Sequence, residues 1–223
     1  MAADDARAIA GAFAPTRPWK NWNDYCYARM KLRSDPLYPG VLDALRGSTA
    51  PVLDLGCGLG LLAHALRRDG QTMAYVGVDN DEGKIRSGRV AASRAQLPDT
   101  VFERVDLATT LPRHQGSVAI LDVLQYLQAD AQLALLRHTA TMLGAGNRLV
   151  IRMTVADGSR RSIVSRVGDR AANLVGWMRF QPRHYLGLDA VTPHLQQCGL
   201  TVSSRPLYGN TPFNNWLLVA RRD

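Results

Sequence analysis

What most constrains this chain is a rhythm between positions 52 and 153. Short apolar runs at 52–55, 74–78, 101–105, 118–121 and 149–153 alternate with stretches of helical spacing at 61–68, 82–94 and 129–142. Runs this short and mostly apolar suit strands buried on both faces. Parallel neighbours need a crossover, and a helix supplies it. The pattern predicts an α/β fold, a doubly wound parallel sheet with helices on both sides. Beyond it, 184–197 reads as a helix stopped at Gly199. Runs at 201–207 and 216–220 then flank a turn-rich link and predict an antiparallel hairpin.

The first strand runs into Asp54-Leu-Gly56-Cys57-Gly58-Leu-Gly60. Glycines let a strand turn sharply into a helix and let backbone approach a ligand closely. The spacing is G-x-G-x-G, and Leu61 stands where the dinucleotide fingerprint has its third glycine, which argues against that reading. Three more acids follow at strand ends: Asp79, Asp106 and Asp122. In an open α/β sheet the carboxyl ends of the strands face the ligand crevice. A carboxylate at Asp79 suits ribose hydroxyls, and one at Asp106 suits an exocyclic amine of adenine.

Composition removes several classes. Hydrophobic residues make up 46% and charged residues 21%, a globular balance. No apolar run reaches the length of a membrane span. The first residues carry acids where a secretory leader needs bases, so none is expected. Cys26, Cys57 and Cys198 are scattered, which suits a reducing cytoplasm and no disulfide framework. The net charge is +8, and 152–183 holds seven Arg against Asp157 and Asp169. That skew points to an acidic partner or substrate.

Taken together, Asp54-Leu-Gly56-Cys57-Gly58-Leu-Gly60 and Val76-Gly-Val-Asp79 resemble the first two motifs of class I S-adenosylmethionine-dependent methyltransferases. The resemblance covers about 48–153 closely and the C-terminal helix and hairpin more loosely. It implies a Rossmann-like seven-stranded sheet ordered 3-2-1-4-5-7-6, with strand 7 antiparallel. It implies S-adenosylmethionine as cofactor, with Gly56, Cys57, Gly58 and Gly60 along its methionine part and Asp54 near its amino group. Asp79 and Asn80 would take the ribose, Asp106 and Leu107 the adenine, and Asp122 and Val123 the border of the sulfonium. No magnesium is expected, because Asp157 is followed by Gly158 where metal-dependent relatives carry an Asp-Asn pair.

The segment Tyr27-Ala-Arg29-Met-Lys31-Leu-Arg33-Ser-Asp35-Pro-Leu-Tyr38 resembles bacterial small-molecule members of this family, including those of aryl-polyene pigment pathways. Residues 1–18, small and broken by Pro15 and Pro18, are expected to be mobile. Residues 19–47 form a helical cap, in which Trp19, Trp22, Tyr25, Cys26 and Met30 recur at helical spacing. Residues 48–223 form the methyltransferase domain, with 154–182 as a lid on the substrate side. Trp19, Trp22, Tyr25 and Tyr38 are candidates to wall an acceptor pocket, with Arg29 and Lys31 beside them. His184 and Tyr126 are the candidate bases. The expected reaction is methylation of a small molecule at oxygen, a hydroxyaryl or carboxylate group, free or tethered to an acidic carrier protein. The alternatives are an RNA methyltransferase, a non-catalytic binding module and a nicotinamide-dependent oxidoreductase.

Overall fold

The computed structural model describes residues 1–17, 19, 22–155 and 184–222. Most of the Arg-rich segment, and with it the expected lid, lies outside the described residues. The seven strands are β1 (Val52–Leu55), β2 (Tyr75–Asp79), β3 (Thr100–Arg104), β4 (Ser117–Leu121), β5 (Arg148–Thr154), β6 (Thr201–Pro206) and β7 (Asn215–Arg221). Their order in the sheet is β3-β2-β1-β4-β5-β7-β6. β7 runs antiparallel to both β5 and β6, and the β1–β2, β2–β3 and β4–β5 pairings are parallel. This is the order and polarity that the resemblance implied. The chain divides into two compact units, Met1–Pro112 and Arg113–Asp223.

In the first unit, β1 pairs with β2 and β2 with β3, in register from Val52 opposite Tyr75 to Asp79 opposite Arg104. Helix α4 (Leu61–Arg68) is buried from Leu61 to Leu66, which includes His64. Its far end is braced by Arg67, whose guanidinium donates to the carbonyls of Gln71, Met73, Pro98 and Asp99 at 2.9–3.3 Å. Helix α5 (Glu82–Arg94) starts on a side-chain cap, the Asp81 carboxylate accepting from Gly83 and Lys84.

The first helices add detail that spacing alone does not carry. Within residues 1–18, Ala3–Gly11 form helix α1. Ala6, Ile9, Ala10 and Phe13 fall at i, i+3, i+4 and i+7, and all four are buried. Good helix formers and the acids Asp4 and Asp5 in the first turn favour it. Helix α2 (Asn23–Ser34) buries Ala28 and Leu32 instead of the aromatic stripe. Trp22, Cys26 and Met30 of that stripe face solvent. Helix α3 (Leu37–Leu45) follows, and the Asp35 carboxylate accepts from the Leu37 amide at 2.9 Å.

In the second unit, β4 pairs with β5 and β5 with β7. Among its described residues are also helices α6 (Ala129–Thr141) and α7 (Leu188–Gln197) and a short 3-10 turn over Leu124–Tyr126. Helix α7 begins four residues later than the sequence suggests. Residues 184–187 are not helical, because the His184 backbone bonds elsewhere: its amide donates to the Gln125 carbonyl, and its carbonyl accepts from Gln132 Nε2. Arg222, just past β7, donates to the Leu143 and Ala140 carbonyls and so closes the end of α6.

Candidate functional site

The site in the first unit grows from the turn between β1 and α4. Gly56, Gly58 and Gly60 have φ of 74°, 57° and 74°, the left-handed region that other residues avoid. The amides of Gly56 and Cys57 both donate to the Val78 carbonyl, which fastens the loop to β2. The Gly58 amide donates to Asp79 Oδ2 at 2.9 Å, while Asp79 Oδ1 accepts from the Asp81 amide. Asp79 therefore fixes the loop and the entry to α5 together.

The glycines differ in purpose. A Cβ on Gly60 would lie 2.1 Å from the Phe102 ring, so that position serves packing. Gly77 and Gly88 also leave room around Phe102 and the loop, at 3.0 Å from the ring and 3.1 Å from the Leu59 carbonyl. A Cβ on Gly58 would meet nothing within 4 Å. The open side of the loop is therefore at Gly58, beside the Asp79 carboxylate.

Beneath the loop lies Asp54, 2% exposed. Its Oδ2 accepts from the Tyr75 hydroxyl at 2.7 Å, and its Oδ1 has no partner. Burial raises its carboxyl to about 7, against the lowering effect of the Tyr75 hydrogen bond and with some help from the charge of Asp79. Burial also pushes the Tyr75 hydroxyl well up, with the Asp54 charge adding to it, so Tyr75 remains a donor. The Cys57 thiol is raised in the same way, by burial and then by Asp54 and Asp79. It stays protonated and is no nucleophile. In α4, His64 sits against the Phe13 ring at 5.2 Å between centroids, and burial lowers it to about 4.

The other expected positions are less enclosed. Asn80 is exposed after Asp79. Asp106 lies past the end of β3 rather than on it, exposed, with Oδ1 accepting from the Ala108 amide; Leu107 is half-buried. Trp19 is 78% exposed under the Arg17 guanidinium. Trp22 packs edge-on against Tyr25, whose hydroxyl accepts from Arg29. Lys31 is paired with Asp35 at 2.7 Å. Tyr38 is buried in α3, so it shares no single wall with the outward-facing tryptophans.

In the second unit, Asp122 follows β4 at φ 60°, a left-handed conformation uncommon for aspartate. Its carboxylate is gripped at both oxygens by Arg152 of β5, the Nε contact being 2.6 Å. Arg152 is 2% exposed. Val123 and Tyr126 are half-buried. His184 is exposed, and its Nε2 lies 2.7 Å from Gln128 Oε1.

Sequence reasoning missed Tyr75, Phe102 and Arg152. Gly77, inside a central strand, was the available signal of close packing. Nothing in the sequence distinguishes Tyr75 or Arg152 from core and surface residues.

Comparison with known proteins agrees with this geometry. Residues 52–146 match the family model described as a methyltransferase domain. Over 136 residues the chain is 31% identical to a trans-aconitate 2-methyltransferase of Variovorax paradoxus, covering 60% of this chain and 50% of that protein. It thus spans half or less of the curated relatives it matches. Among solved structures it is similar to the magnesium protoporphyrin IX methyltransferase of Synechocystis PCC 6803, with TM-score 0.66 and 18% identity, over 98% of this chain and 93% of the other. It is also similar to the cyclase SpnF, with TM-score 0.65 and 14% identity, over 98% and 91%. Among the described residues no helix is long and apolar enough to cross a membrane.

Proposed function

We propose that this chain, a member of the class I methyltransferase family, uses S-adenosylmethionine to methylate an oxygen of a small acidic or hydroxyaryl acceptor. A shared fold does not fix the reaction. What carries the reading is the character of the loop site. It pairs an open face at Gly58 with two acids, Asp54 and Asp79, that bond only neutral donors. Such a site favours a cationic ligand with hydroxyls over an anionic one. A dinucleotide pyrophosphate would need free amides, and the Gly58 amide is already held by Asp79.

The residues present fit the cofactor on two counts. The loop is open on the side of Gly58, and Oδ1 of Asp54 has no hydrogen-bond partner and so leaves one place for a ligand group. Asp79 would turn its oxygens to ribose hydroxyls, with Asn80 beside it. Asp106 and Leu107 would hold the base, and Asp122 and Val123 the reacting end. Once bound, the cofactor supplies a methyl group on a positively charged sulfur. The chain's own part is then to orient the acceptor and exclude water. His184 would take the proton of a hydroxyaryl acceptor through Nδ1, since its Nε2 faces the Gln128 carbonyl oxygen. A carboxylate acceptor needs no base. The names of the curated relatives and the net charge of +8 support an acidic acceptor, free or on an acidic carrier.

Calorimetry tests the binding half. The protein should bind S-adenosylmethionine and not NAD, and Gly58→Val or Asp79→Asn should weaken binding about a hundredfold. Affinity unchanged by both substitutions overturns the reading. For the acceptor half, the enzyme with labelled cofactor should put one methyl on a member of a carboxylic and phenolic acid panel. Label in nucleic acid alone would favour the RNA alternative.

A further inference from the structure

Asp54 has an unusual environment for an acid. It is buried at the base of the loop, and among the described residues no cation pairs with it. One neutral hydroxyl, Tyr75 Oη, bonds Oδ2, while Oδ1 has neither donor nor acceptor. The groups around it are Tyr75 and Asp79 from β2 and Cys57 from the loop. Tyr38 of α3 acts on Tyr75, and Lys84 of α5 acts on Cys57. Nothing here balances a negative charge at rest. A carboxyl so placed keeps its proton until a positive donor arrives.

We propose that the Asp54–Tyr75 pair couples cofactor binding to the release of one proton, with Tyr75 as the positioning residue that keeps Asp54 able to ionise. The inference rests on the proposed use of S-adenosylmethionine. Tyr75 donates to Oδ2, so the acid proton resides on Oδ1. When a cationic amine comes to the loop, the Oδ1–H bond breaks and the proton passes to solvent. The carboxylate left behind gains the partner that Oδ1 lacks. The Tyr75 hydrogen bond favours the ionised form, as it does already in lowering the carboxyl against the effect of burial. Without it the acid would hold its proton to higher pH, and the loop would bind its ligand only in more alkaline solution.

The experiment counts protons by calorimetry, titrating S-adenosylmethionine into full-length protein in buffers of different ionisation heat. At about pH 6 the ligand's amino group is fully protonated, so released protons come from the protein. Wild type should release close to one proton per ligand there and far less at about pH 8. Its Kd should worsen up to about tenfold per pH unit below pH ~7. Tyr75→Phe should still release a proton at about pH 8; the ligand's own amine contributes equally in both proteins and cancels in the comparison. Asp54→Asn should release none at either pH. Tight wild-type binding with no proton released at about pH 6 overturns the proposal and leaves the cofactor reading intact. A Tyr75→Phe profile identical to wild type overturns the positioning role. Absence of binding at every pH sinks the cofactor reading, and the proposal with it. If Tyr75→Phe does not fold, the wild-type count and Asp54→Asn decide.

Discussion

The acids expected at the cofactor site are held in opposite ways in the two units. In the first, Asp54 and Asp79 bond a tyrosine hydroxyl and two backbone amides, all neutral. In the second, Asp122 is locked by the guanidinium of a buried Arg152. Neutral donors orient a carboxylate but leave it able to attract positive charge. An arginine fork satisfies it fully and also fixes a left-handed backbone. The contrast separates acids left open to a ligand's positive charge from one whose charge is already balanced where it would border the reacting end.

The largest effect should come from breaking the second arrangement. Arg152→Met leaves Asp122 buried in part and without its guanidinium, and should cost about 3–5 kcal/mol in urea unfolding. Adding Asp122→Asn should recover much of that; no recovery would mean the pair is not the cause. Next comes the split among glycines. Gly60→Ala meets the Phe102 ring and should cost about 3 kcal/mol. Gly58→Ala should cost about 1 kcal/mol for its positive φ. Equal costs would erase the distinction between packing and cradle.

A third test uses pH, because the first unit holds unpaired titratable groups. His64 stays neutral in the fold down to about 4, while in the unfolded chain it takes a proton below 6.5. Its contribution to stability therefore falls as pH drops from 6.5 to about 4. Asp54 holds its proton up to about 7 but ionises near 3.8 when unfolded, so its contribution falls as pH rises through that window. The two slopes oppose each other. The stability difference between wild type and His64→Leu should change by about 1.4 kcal/mol per pH unit between about 4 and 6.5. A flat difference would place His64 in contact with solvent. The smallest effect is expected at the Arg68–Asp5 pair, where Asp5→Ala should cost under about 1 kcal/mol.

The sheet was legible because period and length speak directly to strand and helix. The loop was legible because few residues besides glycine accept its backbone. The parts that escaped depend on distant partners. Trp22 and Met30 look like a buried stripe, yet Ala28 and Leu32 face the core; spacing shows that a stripe exists and not which side is covered. The N-terminal helix was hidden by small residues, whose burial depends on a closely packed neighbour. Asp122 reads as one more strand-end acid, and only the fold brings Arg152 to it across 30 positions.

The bracing by Arg67 and Arg222 bears on how this chain can drift. Arg67 reaches carbonyls from four residues with one rigid planar fork. A lysine there would preserve the overall electrical balance while supplying a single compact tip, unable to span that set. Swapping arginines for lysines across the molecule would therefore look conservative on paper, yet would loosen its joints one after another. Part of the basic excess is carpentry rather than bait.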